Sequence, residues 1–132
     1  MSLNGRHKSP SREEFVAGVA ALAAEVHDFH ARWGDGAGAP GPAAQVIRER
    51  IALLEEEVRE LIAEVDRPDD AVAPADVAAE ASDVLFVAIG NLYRLGGVGI
   101  EAMERVLRKN AAKTEETHYV NGETRKITRR GR

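Results

Sequence analysis

Apolar residues recur at three- and four-residue steps through most of the chain, the period of helices that each bury one face. The clearest stripe is Ile47, Ile51, Leu54, Val58, Leu61 and Val65, which predicts a helix over about 43–65. Ahead of it, Ser11 followed three residues later by Glu14 forms a capping box, opening a first helix that runs to about Trp33. After Arg67-Pro68-Asp69-Asp70 breaks the pattern, Pro74 and Asp76 open a third helix over about 75–95. Between Val84 and Ile89 that helix is apolar nearly all round, the mark of the central, most buried element. Gly96, Gly97 and Gly99 end it, and a fourth helix is expected over about 100–113.

The remaining segments lack this period. Residues 1–10 mix Gly, Pro, Ser and basic residues and read as a disordered lead-in. The stretch 34–42 alternates Gly with other residues, but no strand precedes it and no Gly-Lys-Ser/Thr follows, so it reads as a linker rather than a phosphate loop. Residues 114–132 form a basic tail in which Asn121-Gly122 predicts a two-residue hairpin turn, ordered only against substrate or a partner. With no repeat and no α/β alternation, the fold class is all-α. The expected architecture is an antiparallel four-helix bundle-like domain over 11–113. Helices this short leave apolar surface for another copy to cover, so a homodimer or tetramer is expected.

Composition narrows the chemistry. The 132 residues contain no cysteine, which removes disulfides, thiolate zinc sites and cysteine nucleophiles. Aromatics at 5% argue against a base-stacking surface for polymeric nucleic acid. Arg6, His7 and Lys8 ahead of the apolar run 15–24 imitate a signal peptide, but Glu13 and Glu14 interrupt it. No apolar run approaches the length of a membrane span, so a cytoplasmic location is expected. The net charge of −4 hides a strong asymmetry. Eleven of the 22 acidic residues lie between Glu55 and Asp83, against only Arg59 and Arg67, whereas the fifteen residues from His118 carry five basic groups and one acid. An acidic middle suits cations and a basic end suits anions.

The acids fall into a pattern. At 100° per residue, Glu57, Glu60 and Glu64 share one flank of the second helix, and Glu80 and Asp83 sit one turn apart on the third. Consecutive helices joined by a short loop pack antiparallel, which would bring Glu57, Glu60, Glu80 and Asp83 into one cleft. Crowded carboxylates protonate or acquire a cation, and an all-oxygen set favours Mg²⁺, Mn²⁺ or Ca²⁺ over zinc. Magnesium held this way completes its shell with water and phosphate oxygens, which points to a polyphosphate substrate. The plain alternative is a solvated acidic face.

Glu56-Glu57-x-x-Glu60 followed by Glu80-x-x-Asp83 resembles the paired acidic signature of the MazG-like, all-α nucleoside triphosphate pyrophosphohydrolases. Phe29-His30-x-x-Trp33 and Asn110-x-x-Lys113 resemble two further segments of that superfamily, and the resemblance covers roughly residues 20–126. It implies hydrolysis of a nucleoside triphosphate to monophosphate and pyrophosphate with Mg²⁺ or Mn²⁺. Glu57, Glu60, Glu80 and Asp83 would be metal ligands, and Glu56 a further ligand or the group that orients the attacking water. Phe29, His30 and Trp33 would line a base pocket, and Asn110, Lys113, Arg125 and Lys126 would meet phosphates. Asn91 is open to either a sugar or base contact or a satisfied core amide. His27 and His30 form a His-x-x-His with no third zinc ligand in view. The tail only loosely resembles the closing loop of longer relatives. The nearest rivals are a phosphoribosyl-ATP pyrophosphohydrolase and a non-catalytic helical interaction module.

Overall fold

The computed structural model describes residues 8–33 and 41–131, so most of the lead-in and the glycine-rich linker lie outside the described residues. The described chain is mostly helical, with α1 (Arg12–Arg32), α2 (Ala43–Arg48), α3 (Ile51–Val65), α4 (Pro74–Arg94) and α5 (Gly97–Ala111). A short antiparallel pair, β1 (His118–Val120) and β2 (Ile127–Arg129), follows. The chain divides into two compact units at Gly96, where the sequence reading ran one helical domain through to 113.

In the first unit α1 starts as expected, with the Ser11 hydroxyl accepting from the Glu14 N–H at 3.1 Å. Glu13 and Glu14 in its first turn complement the helix dipole. The expected second helix is two helices. Arg50 leaves regular helical geometry (φ −109°, ψ −4°), and its N–H bonds to the Ile47 carbonyl at 2.9 Å in a tightened turn. The break sends the Arg50 Nε to the Asn91 Oδ1 on α4 at 2.6 Å, a long-range bond that local periodicity does not reveal.

α4 packs against both α1 and α3, as its all-round apolar centre predicts. Arg50 meets Asn91, and Glu64 at the far end of α3 lies near Asp76 and Glu80, so α3 and α4 run antiparallel. The seam between them takes only Leu54 and Leu61 of the α3 stripe read from sequence and adds two acids. On α3 the half-buried positions are Leu54, Glu57, Leu61 and Glu64, while Val58 and Val65 stay exposed. On α4 the matching positions are Val77, Glu80, Val84, Val87 and Asn91. The core itself is Val26 of α1, Val46 of α2 and Val87 of α4, joined by two buried polar residues, His30 and Asn91. At Gly90, an added Cβ would lie 2.8 Å from His30 Nε2 and 3.0 Å from Arg50 Nη2, so the missing side chain lets these groups converge.

Gly96 ends α4 with φ +62°, the left-handed conformation that glycine adopts without steric cost. Gly97 and Gly99 do not end it. They lie in the first turn of α5, which therefore starts three residues earlier than the pattern suggested.

The second unit joins α5 to the hairpin. The connection is not the expected two-residue turn, because Val120 pairs with Ile127 and leaves six residues, 121–126, between the strands. The Asn121 side chain accepts from the N–H groups of Glu123 and Thr124, and Arg125 takes the positive φ of +61°. Arg130 closes the unit, its N–H bonding to the Thr117 carbonyl at 2.8 Å.

Candidate metal centre

α3 and α4 bring one carboxylate oxygen from each of Glu57, Glu60 and Glu80 to within 4.8 Å of one another. The antiparallel seam does this by placing Glu57 and Glu80 on the packed faces, one helical turn in from Glu60 and Asp83. One oxygen of Glu57 and one of Glu80 are shut off from water and have no hydrogen-bond partner among the described residues. A carboxylate oxygen so placed is costly unless it is protonated or meets a cation. Burial pushes both carboxyls above their ordinary range. For Glu57 the charges of Glu60 and Asp83 add to it, and for Glu80 those of Glu60, Asp83, Glu64 and Asp76. The donor set is all oxygen and anionic, which fits Mg²⁺ or Mn²⁺.

Asp83 is exposed on α4, close enough for its charge to raise both partners, and lies outside the tightest group of three. Glu56 is exposed and contributes the weakest of the charges acting on Glu57. Sequence reasoning overlooked Asp76, which reaches Glu80 electrostatically from the first turn of α4. Glu64 accepts from Arg67 Nη1 at 3.1 Å, which partly neutralises that end of the acidic line.

The aromatic candidates separate. Phe29 packs edge-on to Phe86 of α4 at 5.5 Å and lies 6.3 Å from Trp33. Trp33 is 73% exposed and Phe29 39%, so both present ring surface to solvent. His30 is 3% exposed, stacked on Tyr93 at 5.3 Å, and its pKa is lowered by burial and then by Arg50 and Arg94. Its place is in the core node rather than at an open pocket wall. His27 faces Asp28 at 3.1 Å and meets the same Tyr93 ring edge-on, so both histidines contact one tyrosine. Asn91 is buried, and its Oδ1 accepts from Arg50 Nε at 2.6 Å.

In the second unit Lys113 Nζ donates to Asn110 Oδ1 at 2.9 Å, and Asn110 Nδ2 donates to the Val106 carbonyl. The Asn-x-x-Lys spacing thus makes one connected pair across a helical turn. Arg125 and Lys126 lie in the hairpin connection, bonded through their backbones to Asn121. No described helix is long and apolar enough to cross a membrane. Comparison with protein-family models, curated proteins and solved structures gives no match to this chain.

Proposed function

We propose that this protein is a metal-dependent nucleoside triphosphate pyrophosphohydrolase of the house-cleaning type, releasing pyrophosphate and a nucleoside monophosphate. The observation that carries the reading is the meeting of Glu57, Glu60 and Glu80 across two helices, with one buried oxygen each of Glu57 and Glu80 finding no partner among the described residues. A divalent cation bound there would supply positive charge to phosphate oxygens and acidify the attacking water. The chain's own residues divide the remaining work. Glu57, Glu60 and Glu80 hold the cation, and Asp83 extends the set. Glu56 orients the water from the edge of the cluster. Phe29 and Trp33 offer exposed rings against which a nucleobase can stack. By the resemblance, Asn110, Lys113, Arg125 and Lys126 of the second unit would supply contacts to phosphate.

The assembly that suits this reading is a homodimer or tetramer in the cytoplasm, built as a helical bundle. Phe15, Val19, Leu22, Val26 and His30 fall within about 80° of arc on α1, counted at 100° per residue. Val26 and His30 are buried against α4, but Phe15 is 63% exposed and Val19 36%, so the stripe continues past its intramolecular cover. The decisive experiment is a pyrophosphate-release assay over canonical, deoxy and damaged nucleoside triphosphates, with Mg²⁺, with Mn²⁺ and with EDTA. Release that needs the metal and leaves monophosphate is the expected result. Silence across the panel with metal still bound would redirect the reading to phosphoribosyl-ATP. Silence without metal binding would leave a helical interaction module.

A further inference from the structure

The α3–α4 pair is tied at both ends. The connection 66–73 joins the helices at one end, where Glu64 lies near Asp76 and Glu80. At the other end the Arg50 Nε donates to the Asn91 Oδ1 at 2.6 Å. Glu57, Glu60, Glu80 and Asp83 fall between the two ties. Equal steps taken in opposite directions from Arg50 and Asn91 pair Leu54 with Val87, Glu57 with Val84, Leu61 with Glu80 and Glu64 with Val77. These are the buried and half-buried positions of the seam, so the Arg50–Asn91 bond is in register with all of it.

The seam needs that second tie. Half of its α3 positions are acids, and Glu60, Asp83 and Asp76 add like charge around them. Crowded carboxylates push two helices apart, most strongly when no cation lies between them. The connection restrains the helices beside Glu64, whereas the end at Arg50 has no loop to hold it. Arg50 stands at the break between α2 and α3, and Gly90 omits the Cβ that would lie 3.0 Å from its Nη2. Asn91 is buried, so water competes little for a bond given by a charged donor.

We propose that the Arg50–Asn91 bond clamps the open end of the α3–α4 pair and thereby brings Glu57, Glu60 and Glu80 together before a cation arrives. Both are positioning residues, acting through the helices that carry the acids. A ligand set assembled in advance binds more tightly, because less order is lost on binding. This consequence for affinity rests on the metal-dependent reading proposed above.

The chain has no cysteine, so spin labels at Ala52→Cys on α3 and Leu85→Cys on α4, both exposed, report the separation of the helices unambiguously. In EDTA, Asn91→Ala should lengthen or broaden the label distance, and Asn91→Asp, which keeps the acceptor, should restore it. Titration of the unlabelled chains with Mn²⁺ should show binding about tenfold weaker for Asn91→Ala, the scale for losing a charge-assisted bond, with recovery in Asn91→Asp. Val26→Ala, which opens the core without removing either partner of the bond, should stay within twofold. If circular dichroism shows Asn91→Ala unfolded, Arg50→Lys decides, because it keeps the charge and most of the stem and loses the Nε. An unchanged label distance in the deciding variant overturns the clamp, as does Mn²⁺ affinity within twofold or an equal weakening by Val26→Ala. Absence of Mn²⁺ binding by the unaltered chain overturns the metal reading, and the label distance in EDTA, which needs no metal, then judges the clamp by itself.

Discussion

Glu57 and Glu80 sit where burial and neighbouring acids push their carboxyls up. A raised carboxyl stabilises the fold fully below its unfolded value of about 4.5, and that contribution is lost as pH rises through the folded value. His30 works in the opposite sense. Its pKa is lowered from 6.5 by burial and two arginines, so its contribution is complete above 6.5 and is lost as pH falls towards the folded value. Thermal melts in EDTA should therefore show two opposing effects in the acid range, the carboxyls losing their contribution as pH rises above 4.5 while His30 recovers its own on the way up to 6.5. Glu80→Gln should raise the melting temperature near neutral pH, remove its share of the stability lost as pH rises above 4.5, and abolish the stabilisation given by Mn²⁺. A melting temperature lowered by Glu80→Gln, with no response of the unaltered chain to Mn²⁺, would assign these acids a purely structural role.

At the scale of elements, the junction of α1, α3 and α4 depends on one missing side chain. Gly90→Ala gains up to about 1 kcal/mol of helix propensity. It also drives a Cβ to 2.8 Å from the buried His30 ring. Overpacking of that kind costs about 1–3 kcal/mol and should dominate, leaving a net loss near 1–2 kcal/mol in urea unfolding. Gly18 in α1 is the matched comparison, since nothing lies within 4 Å of its would-be Cβ. Gly18→Ala should stabilise by about 0.5–1 kcal/mol. The two substitutions are identical in chemistry and opposite in sign. Only the neighbours of each Cα separate them. The broken second helix has the same origin: propensity favours continuity through 49–50, and the Arg50–Asn91 bond accompanies the interruption.

For the whole molecule, the exposed half of the α1 stripe bears on assembly. Sedimentation of the purified protein should give a dimer or larger species. The double substitution Phe15→Glu and Val19→Glu should yield monomer with unchanged helical content, because neither residue is buried within the chain. A monomer before substitution would overturn the proposed assembly. The acidic middle and basic end seen in the sequence fall into different units, the acids on α3 and α4 and the basic tail with α5.

Sequence alone determined the helical character, the α1 cap and the central place of α4, and it singled out four acids, of which three meet within 4.8 Å. Each depends on local capping chemistry or on a 3.6-residue period, and both are written in neighbouring residues. The tertiary structure alone decided that Glu57 and Glu80 lie on the seam itself rather than beside it, that Arg50 interrupts a helix to reach Asn91, and that Arg130 is tied back to Thr117 and Glu115. Those outcomes depend on which face of one element meets another. Such contacts join residues tens of positions apart, where periodicity along the chain carries no information about the partner.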